Sequence, residues 1–464
     1  MTSLHASGAT APKFGTSGLR GLVTELTGDL VADYTRAFLA ACPHGGTVWV
    51  GWDLRPSSPA IAEAVIDAIR GQGVDAVRAG VLPTPALALA SMGQGAAAIM
   101  VTGSHIPADR NGLKFYLPSG EIEKDDETAI LTARGVSAGP GEGAVRDDTA
   151  AGDAYVARYV DAFGPGALGG LRIGVYEHSS AARDLLGVIL TRLGAEVVPL
   201  ARSDVFVPVD TEAVDPKTRE RLAGWCAAHR LDAVVSTDGD ADRPMVTDGT
   251  GRIVPGDVLG PLTAGFLGAD TIATPVSANT GVDAMGFARV IRTRIGSPYV
   301  IAAMQAGGRV AGYEPNGGFL LGFEAQGPAG PLAPLMTRDS VLPIVAPLAR
   351  AGAEGRSLAE LVASLPPRFT AADRLQGIAP EASGALLARL TDDAAARTAL
   401  FEGMGPERDA DLTDGLRVTF ESGDIVHLRP SGNAPEFRVY AETGDPARAE
   451  KLVARYLDRV RSLA

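Results

Sequence analysis

The run TVWVG (Thr47–Gly51) stands just ahead of the stretch SPAIAEAVIDAIRG (Ser58–Gly71), and this pair of segments decides the fold class. The first is short, apolar and β-branched, which is typical of a buried strand, whereas the second has the alternating apolar and polar faces of a helix. Two further strand-like runs, Val74–Arg78 and Ala97–Val101, continue the alternation. Strands that alternate with helices of this length predict an α/β domain with a mainly parallel sheet.

The same order of elements recurs twice further along the chain. RIGVYEHSS (Arg172–Ser180) and TIATPVSAN (Thr271–Asn279) each lead into a new series of strands and helices. After Asp373 the pattern changes to strands followed by a closing helix over Pro446–Leu463, which indicates an α+β module. A length of 464 residues gives a prior of about three domains. The pattern predicts four instead: three tandem related α/β domains over 1–143, 144–253 and 254–368, and a C-terminal α+β domain over 369–464.

Composition excludes several classes of function. Lys and Arg number 42 against 55 Asp and Glu, a net charge of −13, which argues against binding to nucleic acid or to an anionic membrane. The only cysteines, Cys42 and Cys226, offer no disulfide framework, so we expect core thiols in a reducing, cytoplasmic compartment. No apolar run reaches the roughly 18 residues of a membrane span. A phosphate ligand, if there is one, must therefore be small and locally bound.

The first loop with chemical potential is TGSHIPADRNGLK (Thr102–Lys114), which follows the apolar strand Ala97–Val101. A polar loop at the carboxyl end of a parallel strand faces the crevice in which such sheets bind ligands. This position presents Ser104, with His105 beside it and Lys114 further on. The alternative is a strand-to-helix turn in which Ser104 caps the helix.

The second loop is TDGDADR (Thr237–Arg243), again after an apolar strand. Asp238, Asp240 and Asp242 alternate, so in an extended segment they project to one side and concentrate three hard oxygen donors. A divalent cation such as Mg²⁺ would relieve their repulsion and keep open positions for a phosphate oxygen. The spacing is not that of an EF-hand. A solvated turn without metal is the alternative.

The third loop is AGYEPNGGF (Ala311–Phe319), a turn rich in glycine. Glu314 and Asn316 offer a carboxylate and an amide, a pair suited to neighbouring sugar hydroxyls because each accepts or donates with fixed geometry. A turn without a binding role explains the sequence nearly as well, and the glycines fit both interpretations.

The fourth loop is LRPSGNAPEFR (Leu428–Arg438), between two strands of the last module. A guanidinium, a hydroxyl and backbone amides form a plausible cradle for a phosphate dianion, and the residues concerned are Arg429, Ser431, Gly432 and Asn433. A hairpin with a surface arginine is the alternative. The chain has no Gly-Lys pair, so a P-loop nucleotide site is excluded.

Taken together, the loops supply what phosphoryl transfer on a sugar phosphate requires, and their order resembles the α-D-phosphohexomutase superfamily over essentially the whole chain. The motifs that carry the resemblance are KFGTSGLRG (Lys13–Gly21), TGSHIPADRNGLKFY, DGDADRP, GYEPNGGF and RPSGNAPEFRVYAE. The resemblance implies four domains around a central cleft, the fourth of them similar in fold to the TATA-binding protein.

The resemblance also implies a role for each loop. Ser104 would carry a phosphoryl group and, with the three aspartates, hold Mg²⁺, while a hexose 1,6-bisphosphate would form as activator and intermediate. Arg20, Lys114 and Arg243 would offset the phosphate charge, and Lys114 or His105 would act as general base and acid. Glu314 and Asn316 would contact sugar hydroxyls, and the loop of Arg429 would grip the non-reacting phosphate.

The sugar loop departs from the usual family pattern, because Asn316 stands where most members have serine and Gly318 where they have histidine. This form, together with EHSSAARDLL (Glu177–Leu186), is similar to a bacterial subset of phosphomannomutases. We therefore expect interconversion of mannose 6-phosphate and mannose 1-phosphate. A phosphoglucomutase or a dual-specificity enzyme is the alternative, followed by a phosphoglucosamine mutase, a metal-dependent phosphatase and a non-catalytic sugar-phosphate sensor.

Overall fold

The computed structural model describes residues 12–15, 18–430 and 436–463. It confirms the predicted class: three α/β units follow one another along the chain, and an α+β unit closes it. The predicted boundary at residue 143 falls just before a strand that pairs with the first sheet, and the boundaries themselves stay a prediction.

The first unit contains an eight-stranded sheet with spatial order β1-β2-β6-β5-β3-β4-β8, and β7 pairs with β6. Its strands are β1 (Lys13–Gly15), β2 (Gly18–Leu22), β3 (Thr47–Trp52), β4 (Asp75–Val81), β5 (Ala97–Val101), β6 (Arg110–Leu117), β7 (Gly120–Glu121) and β8 (Val145–Asp147). Its helices are α1 (Gly28–Ala41), α2 (Ser58–Gly71), α3 (Thr84–Gly93) and α4 (Lys124–Thr132).

The second unit contains a five-stranded sheet with order β10-β9-β11-β12-β13. Its strands are β9 (Arg172–His178), β10 (Glu196–Arg202), β11 (Ala233–Thr237), β12 (Pro244–Thr247) and β13 (Ile253–Val254). Its helices are α5 (Ala151–Phe163), α6 (Arg183–Arg192) and α7 (Pro216–His229).

The third unit contains a five-stranded sheet with order β15-β14-β16-β17-β20 and a separate pair, β18 with β19. Its strands are β14 (Thr271–Pro275), β15 (Arg289–Thr293), β16 (Val310–Tyr313), β17 (Phe319–Leu321), β18 (Ala325–Gln326), β19 (Pro331–Leu332) and β20 (Leu335–Asp339). Its helices are α8 (Gly256–Phe266), a 3-10 turn (Thr280–Ala284), α9 (Ser297–Met304), α10 (Leu342–Ala353) and α11 (Leu358–Ala363).

The three sheets repeat one topology. In each, three neighbouring parallel strands are followed by two antiparallel ones. The loops after β5, β11 and β16 occupy the same place, at the carboxyl end of a parallel strand and before an antiparallel partner. The predicted triplication is confirmed, and the three functional loops are equivalent positions of it. Because β6 follows the Ser104 loop directly, the alternative of a helix-capping serine is wrong.

The fourth unit is a five-stranded antiparallel sheet with order β21-β25-β24-β23-β22. Its elements are β21 (Phe369–Gln376), α12 (Pro380–Asp392), α13 (Ala394–Leu400), β22 (Glu407–Asp411), β23 (Leu416–Phe420), β24 (Ile425–Pro430), β25 (Glu436–Thr443) and α14 (Pro446–Leu463). Side chains alternate across the sheet, so one face packs on the helices and the other carries Arg417, Arg429 and Arg438.

The described apolar cores differ in how many units they join, and the first, second and third units each also contain a further cluster of their own. One continuous core draws on all three α/β units, among them Trp49, Tyr155, Ile173 and Phe319. The fourth unit has a core of its own. Cys42 and Cys226 are buried free thiols, as expected from the sequence. None of the described helices is both long and apolar enough to cross a membrane.

Candidate active site

Ser104 occupies the centre of the β5–β6 loop, with 3% of its surface exposed. Its backbone lies in the left-handed region, at φ 53°, a conformation that costs a non-glycine residue on the order of 1 kcal/mol and is characteristic of functional sites. The backbone N–H of Ser104 donates to Thr102 Oγ1 at 2.7 Å, and Thr102 in turn donates to Asp53. The Ser104 hydroxyl donates to Asp238 Oδ2 at 2.6 Å. The structure thus joins the predicted serine directly to the predicted metal loop.

A buried arginine that the sequence analysis did not single out shapes the serine loop. Arg55 pairs with Asp53 at 3.0 Å, and its remaining N–H groups donate to backbone carbonyls. The acceptors are the carbonyls of Ser104, Ile106, Pro107 and Arg110, at 2.5–3.0 Å. The ring of Phe206, from the second unit, covers the guanidinium at 4.1 Å. Arg55 follows β3, so the rule that located the Ser104 loop, polar residues after a buried strand, could also have found it.

The aspartate loop between β11 and β12 forms a cluster with the properties of a metal site. Asp238, Asp240 and Asp242 are fully buried, and each offers an oxygen within 4.8 Å of the others. The Oδ1 atoms of Asp240 and Asp242 are buried without a hydrogen-bond partner in the described part of the chain. Buried carboxylate oxygens with no donor are costly unless they bind a cation. This donor set of hard oxygens fits Mg²⁺.

Lys114, on β6, brings the first unit's positive charge to this cluster. Its ammonium donates to Asp240 Oδ2 at 2.5 Å and to Asp242 Oδ2 at 2.6 Å. Burial would raise the pKa of Asp240, but the charge of Lys114 and its hydrogen bond hold that pKa below the ordinary value. Burial, followed by the charges of Asp240 and Asp242, raises the pKa of Asp238. The positive charges around Asp238 do not offset its burial, so a further cation at this cluster would stabilise the ionised form of Asp238.

Arg20, His105 and Arg243 surround the serine. Arg20 Nη1 donates to the carbonyl of Thr102 at 2.5 Å. Arg243 Nη1 lies 3.0 Å from His105 Nδ1, and since a guanidinium only donates, this imidazole nitrogen is the acceptor. Burial, and then the charge of Arg243, lowers the pKa of His105 to about 3. His105 is therefore a neutral imidazole near pH 7.

The two predicted residues of the sugar turn, Glu314 and Asn316, have different kinds of partner. Glu314 is buried, and its Oε2 lies 3.5 Å from Nη1 of Arg338, a residue that also contacts Asp242. Asn316 uses its amide oxygen to accept from the backbone N–H of Gly318 at 3.0 Å, within the turn itself. Glu314 thus joins the aspartate cluster through Arg338, whereas Asn316 keeps its amide nitrogen and one lone pair of its amide oxygen for a ligand.

The predicted phosphate cradle lies in the fourth unit. Arg429 pairs with Asp414 at 3.0 Å, and Asp414 accepts the backbone N–H of Ile295 from the third unit at 2.9 Å. The other three predicted cradle residues, Ser431, Gly432 and Asn433, lie outside the described residues. Within the described ranges, the ion pair of Arg429 connects it to its own unit and not to the group around Ser104.

Two kinds of comparison relate the chain to known proteins. The phosphoglucomutase/phosphomannomutase α/β/α domains I, II and III match residues 11–134, 154–251 and 256–369, and the C-terminal domain of the same family matches residues 382–459. Among solved structures, a phosphoglucomutase/phosphomannomutase family protein from Burkholderia thailandensis shares the fold. It has a TM-score of 0.75 and 22% identity, over 97% of this chain and 96% of that one. An N-acetylphosphoglucosamine mutase from Aspergillus fumigatus, in complex with GlcNAc-6P and magnesium, shares the fold at a TM-score of 0.59 and 14% identity, over 99% and 97% of the two chains.

The relatives with higher sequence identity extend over the full length. A phosphomannomutase from Sinorhizobium fredii is 47% identical over 96% of this chain and 98% of its own. A phosphomannomutase from Salmonella muenchen is 45% identical over 97% of this chain and 95% of its own. A phosphoglucosamine mutase from Thermobifida fusca is 30% identical over 97% and 98% of the two chains. The chain therefore belongs to the phosphoglucomutase/phosphomannomutase family of phosphohexomutases, isomerases that move a phosphoryl group within a sugar phosphate.

Proposed function

We propose that this chain is a phosphomannomutase, which interconverts mannose 6-phosphate and mannose 1-phosphate through a phosphoserine at Ser104 and a hexose 1,6-bisphosphate. The observation that carries the proposal is the 2.6 Å hydrogen bond between Ser104 and Asp238 inside a buried carboxylate triad. The choice of mannose is supported by relatives of 45–47% identity, against 30% for the phosphoglucosamine mutase. The buried free thiols agree with a cytoplasmic enzyme.

Asp238, Asp240 and Asp242 would hold Mg²⁺, with a phosphoryl oxygen on Ser104 as a further ligand. When bound, the ion supplies positive charge that offsets the developing charge on the phosphoryl oxygens. The unpartnered Oδ1 atoms of Asp240 and Asp242 support this assignment. Arg20 contacts the carbonyl of Thr102 and Arg243 contacts His105, both in the serine loop, and the two guanidinium groups would bind the remaining phosphoryl oxygens.

In the transfer step, a sugar hydroxyl attacks the phosphorus, the bond from phosphorus to Ser104 Oγ breaks and a bond from phosphorus to the sugar oxygen forms. The hydroxyl proton passes to a base, and an acid returns a proton to Ser104. Lys114 is our candidate for both roles: as a neutral amine it would take the hydroxyl proton, and the resulting ammonium would return that proton to Ser104 Oγ. His105 is less suited, because its Nδ1 lone pair already accepts from Arg243. Lys114 donates to Asp240 and Asp242, so it would have to give up these hydrogen bonds and a proton before it acts as the base.

The bisphosphate must then turn over in the cleft and return its other phosphate to Ser104. Glu314, and the amide nitrogen of Asn316, would contact the sugar hydroxyls in either orientation. Arg429, with Ser431, Gly432 and Asn433, would grip the phosphate that is not reacting. Water must be excluded during this step, because hydrolysis would discharge the enzyme.

The test is a coupled assay of purified enzyme with Mg²⁺ and a catalytic amount of hexose 1,6-bisphosphate. We expect a kcat/KM for mannose 1-phosphate at least tenfold above that for glucose 1-phosphate. Equal values would make the enzyme a dual-specificity mutase, and a preference for glucose would make it a phosphoglucomutase. Release of inorganic phosphate in place of isomerisation would indicate a phosphatase. Binding without turnover would indicate a sensor.

Mass spectrometry tests the covalent step independently. Incubation with hexose 1,6-bisphosphate should add one phosphoryl group to the peptide that contains Ser104. A phosphoryl group on another residue, in an enzyme that turns over, would refute the assignment of Ser104.

A further inference from the structure

Arg338, on β20, is a buried cation at the meeting point of three units, and it belongs to none of the motifs found in the sequence. Only 2% of its surface is exposed. Its Nη2 lies 2.8 Å from Asp242 Oδ2, and its Nη1 lies 3.5 Å from Glu314 Oε2. The guanidinium therefore lies between the metal-site carboxylate and the sugar-turn carboxylate.

The space for this side chain is left by Gly318 in the sugar turn. A Cβ atom added at Gly318 would lie 2.8 Å from both Cγ and Cδ of Arg338, closer than real Cβ contacts allow. Gly318 is also one of the two positions, with Asn316, at which the turn departs from the usual family pattern. The glycine and the arginine thus depend on each other: Gly318 has no side chain, and the aliphatic part of Arg338 fills the space that a Cβ would need.

The three carboxylates near Arg338 differ in how many other partners they have. Glu121, 3.8 Å from Arg338 Nε, also accepts from Ser297 and Thr337. Asp242 also pairs with Lys114. For Glu314, Arg338 is the only ion-pair partner in the described part of the chain. A buried carboxylate with a single cation depends on it for its charge and its position.

We propose that Arg338 is a positioning residue that links sugar recognition to the metal site: it holds the Glu314 carboxylate in place for a sugar hydroxyl, and its positive charge opposes that of a metal ion at Asp242. The proposal rests on the proposed function for the part that concerns the sugar. It has two consequences of opposite sign. Loss of the guanidinium weakens sugar binding, because Glu314 loses its partner, and strengthens metal binding, because Asp242 loses a competing cation.

The first test is Arg338→Met, with Arg338→Lys as the conservative variant. We expect Arg338→Met to raise the KM for mannose 1-phosphate by about tenfold or more, since the buried Glu314 loses its ion-pair partner. The preference for mannose over glucose should fall with it. Calorimetric titration of the dephosphorylated protein with Mg²⁺ alone should give a Kd several-fold lower than that of the wild type. Arg338→Lys should recover part of both changes.

The second test displaces the guanidinium without removing its charge. Gly318→Ala places a methyl group against Arg338 and should shift KM and the Mg²⁺ Kd in the same directions as Arg338→Met. Its matched control is Gly352→Ala, a substitution in the same unit at a glycine with no atom within 4 Å of the added Cβ. Arg350→Met, which removes an exposed ion pair with Glu354, is the control for loss of an arginine.

A purely structural role would weaken sugar binding and Mg²⁺ binding together, and this result would overturn the proposal. Unchanged KM and unchanged Kd in folded Arg338→Met and Gly318→Ala would overturn it as well. If Arg338→Met does not fold, Gly318→Ala and Arg338→Lys decide by the same two readouts. If the wild type isomerises no hexose phosphate, the proposed function fails, whereas the Mg²⁺ titration still tests the competition for Asp242.

Discussion

The three α/β units and the fourth unit are built and joined in different ways. A large apolar core joins the first three, which also have clusters of their own, and their loops meet through buried contacts such as Ser104 with Asp238 and Lys114 with Asp240. The fourth unit has a separate core. Polar contacts connect it to the third unit: Glu442 accepts from the backbone N–H of Thr280 and from Arg368.

This difference in construction indicates that the first three units and the fourth unit have different functions. Phosphoryl transfer needs reacting groups fixed to a fraction of an ångström, and a shared core provides that rigidity. Release and reorientation of a bisphosphate need a binding surface that moves, and a polar interface between domains permits relative motion. We therefore expect substitutions in the first three units to affect chemistry and folding, and substitutions on the fourth unit to affect substrate affinity.

The largest effect should come from Ser104→Ala, which removes the reacting oxygen from the rigid part. We expect turnover to fall by about 10⁴-fold or more, as for other essential nucleophiles, while the protein stays folded. The measurement is the coupled mutase assay together with thermal unfolding. Ser91→Ala, which removes another buried hydroxyl of the first unit, should keep activity. Wild-type turnover in the Ser104 variant would disprove the phosphoserine mechanism.

Arg55→Met tests whether the rigid part depends on the arginine beneath the serine loop. The substitution leaves Asp53 buried without its cation and removes the donor from four backbone carbonyls. We expect a loss of about 3–5 kcal/mol in the free energy of unfolding, measured with urea. Arg78→Met breaks two exposed ion pairs, with Glu63 and Asp147, and should cost about 1 kcal/mol or less. Equal losses in the two variants would contradict the role given to Arg55.

Arg429→Met tests the fourth unit. If Arg429 grips the distal phosphate, its loss should raise the KM for mannose 1-phosphate by about 10- to 100-fold, the usual value of a charged hydrogen bond. The free energy of unfolding should fall less than in Arg55→Met, because the pair of Arg429 with Asp414 is partly exposed whereas that of Arg55 with Asp53 is fully buried. The control is Arg448→Met, because Arg448 pairs with Asp424 in the same unit, away from the cradle. A fall in kcat at unchanged KM would show that Arg429 acts in the chemical step. The proposed difference in function between the fourth unit and the first three would then be wrong.

The smallest effect concerns pH. His178 is buried beside the aspartate loop and donates from Nε2 to the carbonyl of Thr237 at 3.0 Å, and burial lowers its pKa to about 4. The unfolded chain takes up this proton near pH 6.5, so stability is lost as pH falls from 6.5 towards 4. The loss is about 2 kcal/mol at pH 5.

His178→Asn should remove this part of the pH dependence. Asparagine keeps an N–H donor and tolerates the φ of 30° found at this residue. Urea unfolding at pH 7 and pH 5 measures the difference between the wild type and the variant. An unaltered pH dependence would mean that His178 is protonated in the folded protein.

Much of this architecture was predictable from the sequence, because periodicity and turn composition are local signals. Ser104, Asp238 and Glu314 were predictable because each lies in a loop that follows an apolar strand, one in each of the three repeated units. The sequence predicts Asn316 as a hydroxyl contact, which stays a prediction, and it gave no sign that the amide oxygen also accepts from Gly318 within the turn. The sequence did not indicate a role for Arg338, because a charged residue inside a predicted strand is expected to face solvent.

The sequence by itself determined the α/β class, the threefold repeat, the fourth module and the loops that carry chemistry, because each depends on residues that are neighbours along the chain. The tertiary structure alone decided which loops meet. Ser104 and Asp238 are 134 residues apart in sequence and in hydrogen-bond contact in space. The ion pairs of Arg338 with Asp242 and with Glu314 follow from the packing of separate units, and no local sequence pattern predicts them.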